Sequence, residues 1–418
     1  MKIVGLITEY NPFHNGHLYH LEKSKEITEC SYSVVVMSGN FVQRGEPAIV
    51  DKWTRAKMAV DNGVDLVIEL PTVYAVQSAE FFAYGAIKTL DSLGIIDSVV
   101  FGSENGNIEA LEEIADVLIT EPTTFKEYLK NSLNKGNTYP VARSKALEKY
   151  FKSNKSFLVN DLSKVLSSPN NILGIEYLKA LKKVKSTIKP YTINRIGAGY
   201  HDKKLKGNLA SASAIRNQII NSSNLNKISN VVPEATVYYL NNFLDKYNSF
   251  NNLENYTHIL LYLIRFIEKK EISNILDVEE GLENRIIKCG YEKDSISEII
   301  KCIKTKRYTY TRLQRILLHI LLKISGNSFL ELHKHGPQYI RVLASNQKGL
   351  TILKKIKENS NIPIITKFAN YQKLKKAMLN RMIEYDINAT NLYFLGLTNY
   401  NGVKTNLDFL TSPYIKTK

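Results

Sequence analysis

The sequence predicts an α/β chain: an N-terminal parallel sheet covered by helices on both faces, then a mainly helical region, then a small α/β unit at the carboxyl end. Three observations predict this. Continuous runs of Val, Ile and Leu alternate with amphipathic stretches over the first part of the chain, the pattern of strands buried on both faces. From residue 232 to 325 the apolar period is helical throughout. After Gly336-Pro337, one more strand–helix–strand pattern follows. The corresponding divisions are residues 1–225, 226–335 and 336–418.

Taken in order, residues 2–8 (Lys-Ile-Val-Gly-Leu-Ile-Thr) predict a buried strand and residues 17–29 a helix. Residues 33–38 and 64–70 predict the next two strands, with a helix over 52–62 between them. Pro71 closes the third strand, since it has no N–H to donate to a ladder. Residues 77–93 predict a helix with an aromatic face, and residues 97–101 a fourth strand closed by Gly102-Ser103-Glu104. Residues 107–152 are helical, with Pro122 and Pro140 as breaks. Ser167-Ser168-Pro169-Asn170-Asn171 sets capping residues and a proline ahead of a helix over 172–181. Residues 188–196 predict a fifth strand, residues 197–202 a loop, and residues 211–220 a short helix opened by serines. The terminal unit comprises 339–343, 349–357 and 362–366.

The chain has 418 residues, 44% of them hydrophobic, enough for two or three domains. It has no run of eighteen or more apolar residues, so no membrane-spanning segment is expected, and its start lacks a secretory pattern. Cys30, Cys289 and Cys302 are widely spaced and odd in number. They fit neither a disulfide framework nor a zinc set, and point to a reducing cytoplasm. The net charge of +16 is unevenly spread. Residues 1–120 hold 8 Lys+Arg and 17 Asp+Glu; the remaining residues hold 48 and 23. An acidic front and a basic rear suggest a polyanionic partner, most simply a nucleic acid.

The densest chemistry lies after the first strand, in Ile7-Thr8-Glu9-Tyr10-Asn11-Pro12-Phe13-His14-Asn15-Gly16-His17-Leu18-Tyr19-His20. In an open parallel sheet, ligands bind beyond the carboxyl ends of the strands, and amides at a helix start favour phosphate. His14 and His17 sit at that start, and Gly16 lets a ligand approach the backbone. Donors placed there would stabilise an α-phosphate in its five-coordinate transition state.

This stretch resembles the HxGH signature of class I nucleotidyltransferases, and Ser211-Ala212-Ser213-Ala214-Ile215-Arg216 resembles their second, hydroxyl-and-arginine motif. Ser213 stands where a threonine is usual, and Ala212 where many members carry a second hydroxyl. Three further stretches are 38–47 (Ser-Gly-Asn-Phe-Val-Gln-Arg-Gly-Glu-Pro), 101–104 (Phe-Gly-Ser-Glu) and 168–174 (Ser-Pro-Asn-Asn-Ile-Leu-Gly). Together with the first they resemble the tRNA(Met) cytidine acetate ligase family, over roughly residues 3–345. The resemblance implies a Rossmann-like, HUP-like nucleotidyltransferase domain and a two-step reaction. Acetate attacks ATP to give acetyl-adenylate and pyrophosphate; the acetyl group then passes to the wobble cytidine of elongator tRNA(Met). It implies an ATP site over Ile7 to His20 with Gly102, Asn170 (or its neighbour Asn171) and Arg195. Ser211, Ser213 and Arg216 would grip the outer phosphates, and His14, His17, Arg195 and Arg216 would be catalytic. Magnesium is expected to arrive on the ATP phosphates. No protein metal site is expected, and His333, His335 and Cys302 lack metal-ligand spacing.

Arg44 and Glu46 follow the second strand and fit two roles, orienting acetate or base, or pairing to hold their loop. In the rear, Lys306, Arg307, Tyr308, Arg312 and Arg315 combine phosphate-binding charge with a stacking ring, and Lys203 and Lys204 form a second basic patch. The competing readings are a small-molecule adenylyltransferase and a non-catalytic RNA-binding protein on a relic nucleotide fold. The chain's length and basic rear disfavour the former; retention of His14, His17 and Arg216 disfavours the latter.

Overall fold

The computed structural model describes residues 1–154, 162–195, 210–222, 225–397 and 405–417. Its sheet strands are β1 (Ile3–Thr8), β2 (Tyr32–Ser38), β5 (Leu66–Leu70), β6 (Ser98–Ser103), β7 (Lys189–Asn194), β8 (Ile340–Ser345), β9 (Ile364–Ile365) and β10 (Tyr414–Ile415); β3 (Phe41–Val42) and β4 (Glu46–Pro47) form a separate antiparallel hairpin. The main order is β10-β8-β5-β2-β1-β6-β7, with β9 also on β8. From β5 to β7 all neighbours run parallel, as the unbroken burial of β2 and β5 requires. The chain passes outward from β1 through β2 to β5, then returns to the other side of β1 with β6 and β7. The crevice where the order reverses lies above the carboxyl ends of β1 and β6, the place a ligand is expected.

The predicted strands and helices are present, with boundaries shifted by a few residues. Three things differ. Pro140 opens the helix Tyr139–Ser153 instead of breaking one, because a proline in the first turn has no intrahelical N–H bond to lose. The 19-residue helix Ala377–Leu395 was not expected from the sequence pattern. The C-terminal strands do not form their own sheet. β8 pairs antiparallel with β5, from Leu66↔Ser345 to Glu69↔Arg341, so the tail completes the N-terminal sheet.

Cys289 and Cys302 also depart from expectation: they are joined by a disulfide, with Cα atoms 5.9 Å apart. The turn between the helices Leu282–Glu292 and Ile296–Ile303 folds one onto the other, which the 13-residue separation did not reveal. Only Cys30 is a free thiol.

A buried charge cluster fastens the tail to the front. Lys52 Nζ lies 2.8 Å from Glu69 Oε1 and 2.7 Å from Asp408 Oδ1. Arg341 reaches the Asp408 carbonyl at 3.2 Å and its carboxylate at 3.7 Å. These four side chains are at most 1% exposed. Removing one partner from such a cluster strands the others in a low dielectric, at about 3–5 kcal/mol. Asp408→Ala should lower the unfolding free energy by that amount in urea denaturation, since Lys52 and Arg341 lose a shared anion.

Candidate active site

After β1 the chain turns through Tyr10, at φ 46°, and a cis Asn11–Pro12 peptide, then enters the helix Asn15–Thr28. Tyr10 and Phe13 are buried, their rings 4.9 and 5.7 Å from that of His17, so the imidazole rests on an apolar floor. Asn11 Oδ1 accepts from Ile49 N at 2.8 Å, pinning the turn to the segment after the hairpin.

The two histidines cap the helix themselves. His14 Nδ1 accepts from Gly16 N at 3.0 Å, and His17 Nδ1 accepts from His14 N at 3.3 Å. Their rings stack at 3.7 Å. A methyl on Gly16 would stand 2.9 Å from His14 Cε1, so the glycine makes this cap possible. Because each Nδ1 accepts from an amide, each ring carries its proton on Nε2 and keeps that N–H as a donor. Burial, with Arg195 and Arg216 nearby, pushes His14 down to about 3; burial and Arg195 push His20 to about 4. Burial and the neighbours His14, His20 and Arg195 hold His17 well below the usual imidazole range. All three are therefore neutral donors at pH 7.

These residues line a cavity of about 680 Å³. From the first turn it receives Ile7, Thr8, Glu9, His14, Gly16, His17, Tyr19 and His20. Tyr10, Asn11, Pro12, Phe13, Asn15 and Leu18 do not line it; Asn15 instead donates from its backbone and side chain to Val231 and Asn230 carbonyls at 3.0 Å. The β6 and β7 ends supply Phe101, Gly102, Ile193, Asn194 and Arg195. The choice between Asn170 and Asn171 is geometric: Asn170 lines the cavity, while Asn171 is buried, its Oδ1 accepting from Glu104 N at 2.8 Å. Glu104 in turn caps the helix Pro169–Lys183, accepting from the Asn171 amide at 2.9 Å and the Asn170 side chain at 2.6 Å. Arg195 reaches Asn170 Oδ1 at 3.4 Å.

Ser211, Ser213 and Arg216 do not line the cavity. Arg216 donates to Asn11 O at 2.9 Å and pairs with Glu46 Oε1 at 2.7 Å, tying the first turn to the hairpin. Ser211 Oγ accepts from Ala214 N as a helix cap, and Ser213 Oγ accepts from Arg44 at 3.0 Å. The Arg44–Glu46 pairing considered from sequence is thus replaced by two cross-links to the helix Ala212–Ser222.

The helical region enters the site as well. Thr309, Thr311 and Arg315, at the start of the helix Tyr310–Leu322, close the wall beside Gln43 and Arg44. Gly45, at φ +83°, lies so close that a methyl there would stand 2.5 Å from the Arg315 backbone nitrogen. The sequence carries no signal for this contact, because it joins segments 270 residues apart. Arg315 therefore turns inward instead of extending an outer basic stripe. Tyr308 is 7% exposed beneath Arg307 and Arg312, both paired with Glu279, so it offers no open stacking face. Lys306 remains exposed. Lys203 and Lys204 lie outside the described residues.

The depressed histidines fix a pH signature. Folded-state values below the unfolded 6.5 mean the unfolded chain binds more protons as pH falls. Stability from these rings is complete above pH 6.5 and is lost as pH drops toward 4. Proton uptake on unfolding at pH 5.5, measured from the pH dependence of urea midpoints, should be about one proton smaller in His20→Asn.

Comparison with known proteins agrees with this geometry. A profile of the HIGH nucleotidyl transferase family matches residues 1–407. The tRNA(Met) cytidine acetate ligase of Caldanaerobacter subterraneus subsp. tengcongensis is 50% identical over 416 residues, covering all of both chains. The Clostridium perfringens (strain ATCC 13124) ligase of the same name is 48% identical over 99% of this chain and 100% of its own. Crystal structures of Thermotoga maritima TmcAL, in the apo state and bound with α-thio ATP, superpose with TM-scores of 0.96 and 0.93 at 36% identity over the whole of each chain. With its His14-Asn15-Gly16-His17 cap at the sheet's switch point, the chain belongs to the tRNA(Met) cytidine acetate ligase family of HIGH nucleotidyl transferases.

Proposed function

We propose that the protein is an ATP-dependent ligase that activates acetate as acetyl-adenylate and transfers the acetyl group to the wobble cytidine of elongator tRNA(Met). The observation that carries this reading is the His14–His17 cap: two stacked, neutral rings presenting Nε2–H donors to a cavity at a helix start. The full-length similarity to ligases of that name supports the acceptor and the acid.

In the first step an acetate oxygen attacks the α-phosphorus of ATP, and the bond to pyrophosphate breaks with its electron pair on the leaving group. His14 and His17 donate hydrogen bonds to the α-phosphate oxygens as charge gathers there, and neither transfers a proton. The helix dipole at Asn15 adds partial positive charge. Gly102, Asn170 and Arg195 form the wall suited to ribose and base, at the ends of β6 and β7. Ser211, Ser213 and Arg216 act one layer behind, holding Arg44, Glu46 and the first turn in register. In the second step the cytidine amine attacks the acetyl carbonyl, AMP departs and the amine loses a proton. Magnesium accompanies ATP on its phosphates; among the described residues no cluster of three or more His, Cys, Asp or Glu could hold an ion.

The tRNA would lie along the helical region, where Lys306, Arg307 and Arg312 supply charge, and Lys203 and Lys204, outside the described residues, would add more. An enzyme of this kind works in the cytoplasm, and no described helix is long and apolar enough to cross a membrane.

His17→Ala should reduce acetate-dependent ATP–pyrophosphate exchange by at least about 100-fold, as expected for loss of a transition-state donor, with an unchanged circular dichroism spectrum. Near-normal exchange in that variant would overturn the assigned role. Lys306→Glu with Arg307→Glu should weaken tRNA binding and make the slope of log affinity against log salt shallower by about two, while leaving exchange intact. Acetylation of tRNA from acetyl-CoA without ATP would refute the ligase reading.

A further inference from the structure

The cavity walls are unevenly charged. Among its lining residues stand three cations, Arg44, Arg195 and Arg315, against one carboxylate, Glu9. Burial raises Glu9 toward its neutral form, although Arg44 and Arg216 oppose this. The three arginines differ in what they already hold. Arg44 donates to Ser213, and Arg195 reaches Asn170. Arg315 makes no hydrogen bond or ion pair within the described protein, and its Nε is shut off from solvent. Asp277 offsets its charge through space without forming an ion pair, and Arg312 opposes that effect.

Arg315 is half-buried, and a guanidinium held without an anion on a cavity wall is one that a ligand's anion can pair with. The surroundings of Arg315 suit a small one. Its helix begins at Tyr310, with Thr309 as cap and Thr311 in the first turn, both on the cavity wall. The hairpin tip at Gly45 lies directly against the backbone of residues 314–315 and holds that turn of the helix against the site. In the reading above, the histidine cap and its helix dipole already serve the phosphates.

We propose that Arg315, with the Thr309 and Thr311 hydroxyls, is the binding site for the carboxylate of the acid substrate. The planar guanidinium fork matches a carboxylate through two parallel hydrogen bonds. Each bonded oxygen keeps a second lone pair, and with one of these the acid would attack phosphorus. Arg315 remains protonated throughout and exchanges no proton. The assignment rests on the ligase reading above, and it gives the helical region a role in choosing the acid in addition to holding RNA.

The test uses the full chain with ATP, labelled pyrophosphate and acetate. Acetate-dependent exchange is first measured in the unaltered protein; its absence would remove the ligase reading and this proposal with it. With exchange established, Arg315→Met should raise the acetate KM by about 100-fold, the size expected for a lost charge-assisted pair. Affinity for a non-hydrolysable ATP analogue should change by less than about threefold, and Arg315→Lys should recover part of the loss, since it restores charge without the fork. The melting temperature of the Met variant should hold or rise, because a half-buried charge with no ion-pair partner among the described residues is gone. A merely structural arginine would instead lower it and leave the acetate KM alone. An unchanged acetate KM overturns the proposal. So does a matching loss of ATP affinity, which would assign Arg315 to a nucleotide phosphate, or a rise confined to the tRNA KM, which would assign it to RNA.

Discussion

The Arg55 guanidinium is the constraint on which the rest of the site depends. It is fully buried and donates to the carbonyls of Glu9 at 2.6 Å, Ser38 at 3.0 Å, Gly39, and Val50 at 3.2 Å. The first three lie where β1 and β2 end and the chain must leave the sheet, and the fourth precedes the helix Lys52–Asp61. Strand ends that turn into loops lose ladder partners, and buried carbonyls without partners are expensive. One side chain satisfies four of them and so sets the angle at which the first turn departs. Burial works against its charge, and Tyr393 and the carboxylates of Asp51, Glu9 and Glu69 favour it through the field, none of these carboxylates forming an ion pair with it. Above this floor, the histidine cap can be placed by backbone geometry alone.

Charge in the site is graded outward from that point. The histidines nearest the helix start are neutral, because burial and neighbouring arginines suppress protonation. A neutral imidazole can donate to a phosphate without holding it so tightly that the ground state is favoured over the transition state. The positive side chains of the lining are Arg44, Arg195 and Arg315, which come from three different parts of the chain. The cavity is therefore assembled jointly by the sheet, the hairpin and the helical region. Its closure depends on the same contacts that hold those parts together, such as Arg216 with Glu46 and Gly45 against the Arg315 backbone.

Much of this could be read from the sequence because it is local. Strand β1, the turn and the helix start are contiguous, so the capping box of His14 and His17 follows from residue type and spacing of three. Asn170 at the start of the helix Pro169–Lys183 is local in the same sense. Ser211 caps its own helix locally, but Ser213 and Arg216 contact Arg44, Glu46 and Asn11, at separations of 169 to 205 residues. No periodicity records such pairings. Tyr308 shows the same limit: as an aromatic among basic residues it reads as a stacking platform, yet Arg307, Arg312 and Glu279 close over it.

By itself the sequence determined the alternation of strands and helices, the helix start that carries His14 and His17 and the division of charge between front and rear, since each depends on neighbouring residues or on composition. Only the tertiary structure decided that β8 and β10 complete the N-terminal sheet, that Cys289 meets Cys302, and that Arg315 faces the cavity while Arg216 does not. The physical reason is common to all of these. A strand edge, a thiol and a guanidinium each have several partners of equal chemical merit along the chain. Packing of distant segments selects among them, and a local pattern carries no record of which segments will meet.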